Sequence, residues 1–86
     1  MYPIPIDVIA TFNTLGKIKP NYIRIEDDAH MLQTLKVESI ESSKEEKYGG
    51  MIAEVFACNV KMDDCMKLIQ IKYHVQTHQW VLMPSS

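Results

Sequence analysis

Apolar and polar residues between Met51 and Val75 fall into register when the chain is folded about Asp63-Asp64. Pairing residues whose numbers sum to 127 sets Cys65 against Met62, Ile69 against Cys58, Ile71 against Phe56 and Val75 against Ile52. All eight share one side of a ribbon, because side chains of a strand alternate between its faces. The reverse side is mixed: Ala53, Val55, Ala57, Asn59 and Lys61 face His74, Lys72, Gln70, Leu68 and Met66. The pattern predicts a long antiparallel hairpin. A helix starting at Asp63 or Asp64 is the rival for its second arm, since Cys65, Leu68, Ile69 and Tyr73 make a helical stripe. Against it, Ile69, Ile71, Tyr73 and Val75 alternate strictly with Gln70, Lys72, His74 and Gln76, and that run outweighs a short stripe.

The same reasoning places the other strands. Ile4, Ile6, Val8, Ala10 and Phe12 alternate with Pro5, Asp7, Ile9 and Thr11, a strand whose prolines put its start at a sheet edge. Asn13-Thr14-Leu15-Gly16 reads as a turn. The second strand, Lys17 to Glu26, changes apolar parity across Pro20-Asn21, which predicts a bulge or bend of the kind a small barrel needs at its corners. Glu26-Asp27-Asp28 is the next turn. Asp28 offers an N-cap for a short helix to Lys36, but no Glu or Gln three residues on completes a capping box. Leu35 and Val37 alternate with Thr34, Lys36 and Glu38, so a strand from about Leu32 to Ile40 is assigned. Glu41 to Gly50 is charged and ends in two glycines, the longest candidate loop, with strand ends able to extend into it. Thr77-His78-Gln79 turns the chain into a last strand, Trp80 to Met83, closed by Pro84.

The expected fold is therefore all-β: an antiparallel, strongly bent sheet of five or six strands closing into a small SH3-like or OB-like barrel. The alternative is α+β, with a short helix near residues 28–36. Composition favours sheet, with ten Ile and six Val against five Leu and four Ala. Eighty-six residues make one domain, 1–86, with a modest stability margin for which oligomerisation is a common remedy.

Charge and cysteine usage narrow the function classes. The net charge of −2, and Arg24 as the only arginine among nine basic residues, give no electrostatic reason to expect a nucleic-acid backbone. No apolar run approaches the length of a membrane span, and the N-terminus lacks the features of a signal peptide, so a cytoplasmic location is expected. On the 127 pairing Cys58 and Cys65 lie roughly 13 Å apart, too far for a disulfide, and both read as small buried hydrophobes.

Candidate chemistry is sparse. His74 and His78 would form a metal pair on a helix, but on an extended strand they lie roughly 13 Å apart. Glu26-Asp27-Asp28 with His30 lacks the spacing of a calcium loop and is explained by turn formation. There is no nucleophile elbow and no phosphate-cradling glycine loop, so no enzyme activity, cofactor or metal is expected. Glu54 breaks the apolar face opposite Tyr73; the expected structural role is a bond to the Tyr73 hydroxyl or an ion pair with Arg24 or Lys67. Lys67 also breaks that face, near the hairpin tip. Glu54, Tyr73 and Arg24 are the candidate binding residues. Tyr22, Tyr48, Tyr73 and Trp80 suggest an aromatic platform for bases, though Trp80 with Leu82 reads more simply as a core anchor.

The run Gly16-x-Ile18-x-Pro20-x-x-Ile23-x-Ile25, and Lys72-Tyr73 followed by Trp80-x-Leu82, resembles short all-β domains of bacterial proteomes. The resemblance implies a small barrel and no activity. The expected function is a non-catalytic interaction module that binds a protein partner or itself through a sheet face or strand edge. The alternatives are a nucleic-acid-binding barrel with a regulatory role, and a small enzyme or metal protein.

Overall fold

The hairpin about Asp63-Asp64 forms in the expected register. In a computed structural model describing residues 3–26 and 29–83, ten successive pairs from Ala53↔His74 to Met62↔Cys65 join two strands, and Val75 N–H continues the ladder to Ile52 C=O at 3.0 Å. Both turn residues have positive φ, Asp63 at 50° and Asp64 at 63°, which matches the twist of a two-residue hairpin.

Six strands follow in chain order: β1 (Ile4–Phe12), β2 (Ile18–Glu26), β3 (Leu32–Tyr48), β4 (Met51–Met62), β5 (Cys65–His74) and β6 (Gln79–Met83). Each pairs antiparallel with the next, and β6 pairs back with β1, closing a barrel. The all-β barrel expected from the sequence is present. Its order is a plain meander, without the Greek-key connection of oligonucleotide-binding barrels.

Two strands make the corners. β1 pairs with β6 through Ile4–Ile6 and with β2 through Asp7–Phe12. β3 pairs with β2 through Leu32–Lys36 and with β4 from Val37 to Tyr48. The molecule is thus two sheets that share β1 and β3, strands that switch sheets at bends. The bend in β2 falls where the parity flips: Ile9 pairs with Tyr22 and Ala10 with Pro20, leaving Asn21 as the extra residue. Its side-chain amide donates to the Thr11 hydroxyl across the bulge.

β3 carries two further register shifts, with Glu38 and Glu41 as the extra residues. Each reverses the faces. Leu35, Val37 and Ile40 therefore pack inward, and beyond the second bulge Ser43, Glu45 and Lys47 take the inner side. This corrects the expected loop at Glu41–Gly50. Glu41 to Tyr48 is strand, and only Gly49-Gly50 turns, with φ of 56° and 82°. It also corrects the alternative helix over residues 28–36, since Leu32 onward is strand. Asp27, Asp28 and Pro84, to which turn, cap and strand-closing roles were given, lie outside the described residues, as does Met1-Tyr2.

The core lies between the sheets: Ile18, Ile23, Leu35, Val37, Phe56, Cys58, Val60, Ile71, Tyr73 and Trp80 are buried. Phe56 stacks on Trp80 with ring centroids 5.8 Å apart, and Tyr73 meets Trp80 at 4.8 Å. These rings supply much apolar area to a small core. Ala53 and Val55, on the outer face of β4, are buried as well.

Candidate functional site

Glu54, Tyr73 and Arg24 do not form one site. Glu54 is half-buried on the inner side of β4, with Tyr73 opposite on β5 and Glu45 opposite on β3. Among the described residues its carboxylate makes no hydrogen bond or ion pair, which corrects the expected bond to Tyr73 and the expected pairing with Arg24 or Lys67. The Tyr73 hydroxyl is instead 2.8 Å from His78 Nδ1. Arg24 lies on the exposed face of β2 between Asp7 and Thr34, pointing away from the barrel interior. Lys67 is exposed near the hairpin tip.

The turn after β5 explains where His78 sits. His78 N–H donates to His74 C=O at 2.8 Å, and His78 takes φ 58°. The chain therefore reverses between the two histidines, which corrects the extended spacing assumed for them. His74 follows the outward register of β5 opposite Ala53, whereas His78 turns inward to the Tyr73 hydroxyl, so the rings leave on different sides.

The cysteines differ from each other. Cys58 is fully buried and burial pushes its thiol up to about 11 from the usual 9.0. Cys65 is exposed, which corrects its reading as a buried hydrophobe, and both are free. Of the Glu26-to-His30 cluster, His30 and Glu26 form an exposed pair at 2.6 Å. The aromatic platform is not assembled. Tyr73 and Trp80 belong to the core, Tyr22 lies on the outer face of β2, and Tyr48 is 88% exposed at the tip of the β3–β4 hairpin. Trp80 is the core anchor.

What the surface does offer is strand edge and apolar face. Several stretches are bonded on one side only, among them β1 from Asp7 to Phe12, β3 from Leu32 to Lys36 and from Ser39 to Tyr48, and β5 from Cys65 to Ile69. In such a stretch every second residue directs its N–H and C=O outward. The β3 edge is blunted by bulges at Glu38 and Glu41 and by Lys44, Glu45, Glu46 and Lys47. The β1 edge has no such defence. From Val8 to Phe12 it carries neither charge nor proline, and Ile9 and Phe12 are each 60% exposed. Tyr22, the cross-strand partner of Ile9, is also exposed. Where β1 leaves β6, a groove of about 580 Å³ opens between Asp7-Val8 and His78-Gln79. A second apolar patch, Met66 and Leu68 on the outer face of β5, is exposed as the sequence suggested.

Sequence reasoning put the start of this strand at a sheet edge on its prolines and missed the open stretch from Asp7 to Phe12. The one signal was Ile9 itself, an isoleucine on the polar side of an otherwise regular alternation. No known protein family, characterised protein or solved structure is detectably similar to this chain.

Proposed function

We propose that this chain is a non-catalytic interaction module that binds a protein partner, or a second copy of itself, through a strand edge or sheet face. The observation that supports it most is the contrast between two of the open edges, the upper arm of β3 and the β1 stretch. The first carries Lys44, Glu45, Glu46 and Lys47 beyond bulges at Glu38 and Glu41, and the second is uncharged from Val8 to Phe12, with Ile9, Phe12 and neighbouring Tyr22 exposed. Edges left pairable in this way recruit extended segments, with main-chain hydrogen bonds supplying affinity and alternate side chains supplying selectivity. A cytoplasmic setting belongs to the same proposal and rests on the two free thiols. Among the described residues no helix is long and apolar enough to cross a membrane.

The test is recovery of partners from native lysate, with and without nuclease, using wild type and Ile9→Lys side by side. The reading expects recovery that survives nuclease and is lost with Ile9→Lys. Recovery abolished by nuclease would favour the alternative, a nucleic-acid-binding barrel, and would overturn the protein-partner reading.

A further inference from the structure

We infer that Asp7 and Arg24 form a binding site for a free α-amino acid with an apolar side chain. The site needs no protein partner and goes beyond the interaction-module reading.

Asp7 and Arg24 are cross-strand partners on β1 and β2, and Thr34 follows Arg24 in the same row on β3. Side chains opposed in this way start about 5 Å apart at Cβ, within reach of a bridge. Yet the two make no ion pair with each other, and neither makes one with another described residue. They flank an opening instead. A cavity of about 180 Å³ lies against both, walled by Tyr22, Ile9 and Thr34. Beside the same pair, where β1 leaves β2 for β6, lies a cleft of about 290 Å³ lined by Ile6, Ile25, Leu32 and Leu82. Glu26 also lines this cleft, and its carboxylate is already paired with His30.

The two charges select the ligand. A simple anion drawn to Arg24 is repelled by Asp7, and a simple cation drawn to Asp7 is repelled by Arg24. A small zwitterion satisfies both. The carboxylate of an α-amino acid accepts two parallel N–H bonds from the Arg24 guanidinium, and its ammonium donates to the Asp7 carboxylate. The Thr34 hydroxyl, beside Arg24, donates to the same ligand carboxylate. No bridge between Asp7 and Arg24 has to break first. The cavity is smaller than the several hundred Å³ of a drug-sized site, which suits a ligand of this size. The ligand side chain enters the cleft, where Ile25, Leu32 and Leu82 favour an aliphatic group over hydrogen. Both charged residues are exposed, so each contact is modest and the affinity falls in the millimolar range.

The experiment titrates ¹⁵N-labelled full chain and follows backbone amide shifts, with ligand up to about 10 mM, beyond the millimolar end of specific affinity. L-leucine is expected to shift the amides of Asp7, Tyr22, Arg24 and Thr34 saturably. Glycine, which leaves the cleft empty, is expected to bind at least tenfold more weakly. N-acetyl-leucine lacks the ammonium and leucinamide lacks the carboxylate, and each is expected to lose at least tenfold. Asp7→Asn and Arg24→Gln are each expected to weaken L-leucine by a similar factor while the rest of the amide spectrum stays in place. The blocked ligands act on wild type, so the test stands even where a variant fails to fold. No saturable shift with L-leucine overturns the site. Equal binding of L-leucine and its two blocked forms overturns it too, as does binding that both substitutions leave unchanged.

Discussion

Lys72 on β5 and Glu46 on β3 form an ion pair at 3.1 Å across the strand that separates them. Lys72 sits opposite Val55 and Glu46 opposite Ala53, so the bridge passes over the two β4 residues that are buried on the outer face. The lysine stem, with its side chain only 21% exposed, serves as a lid of methylenes. Lys72→Ala is expected to lower unfolding free energy by about 1 kcal/mol, most of it lost packing. Lys72→Met, which keeps the stem, is expected to lose less than half of that, and Glu46→Gln only a few tenths because exposed pairs are weak. Urea denaturation of the three variants checks the order.

Glu54 and Glu45 oppose each other on neighbouring strands; Glu45 has an exposed ion pair with Lys47 at 3.7 Å, whereas Glu54 has none among the described residues. Like charges at directly opposed positions destabilise a sheet by roughly 0.2–1 kcal/mol. Glu54→Gln is accordingly expected to raise the melting temperature by a few degrees, in about the ratio of 4–8 °C per kcal/mol for a domain of this size. A fall in thermal midpoint would show that the carboxylate holds a structural partner after all.

The two hairpin turns differ in how well their residues suit them. Asp63 and Asp64 hold positive φ, which aspartate tolerates less readily than Asn-Gly does. The double change Asp63→Asn with Asp64→Gly is expected to stabilise by about 0.5–1 kcal/mol. At Gly50, with φ of 82°, an added Cβ would meet nothing within 4 Å. Gly50→Ala therefore isolates backbone strain, with an expected loss of about 1–2 kcal/mol by calorimetry.

Cys58 and Cys65 give a paired prediction on reactivity and pH. At pH 8 a thiol reagent is expected to titrate Cys65 quickly and Cys58 only as fast as the barrel opens. Cys58 is held at about 11 in the fold against 9.0 when free. The folded state thus keeps its proton through the window from 9 to 11 while the unfolded chain loses it. The stabilisation is complete below pH 9 and is lost as pH rises toward 11, a change of about 2–3 kcal/mol for two pKa units. Cys58→Ala should be destabilised at neutral pH, yet should lack that part of the alkaline slope in pH-dependent urea midpoints.

The parts of the fold that the sequence displayed are those where one face is apolar and the period is unbroken. The β4–β5 ladder and the Pro20-Asn21 bulge were legible for that reason. The upper arm of β3 was not, because Glu38 and Glu41 each add a residue and scramble the alternation, and both faces beyond them are wet. Burial of Val55 was hidden too, since its cover comes from charged residues on two other strands. Glu54 stood out as an exception to its face, but the loss of its expected partner could not be read. The Tyr73 hydroxyl is taken by His78, which a left-handed turn residue swings inward. The β1 edge is a property of which strands end where, and Ile9 on the polar side of the alternation is its one local trace.

Pairing of Ile4 with Leu82 has a topological consequence. The strands form a ring in which none is first, and each successive pair is joined by a connection of two to five residues. A circularly permuted chain, with the two ends of this sequence joined by a flexible linker and a new opening cut at Gly49-Gly50, would retain all six strand pairings. The order in which the residues are synthesised is thus separable from the barrel they make.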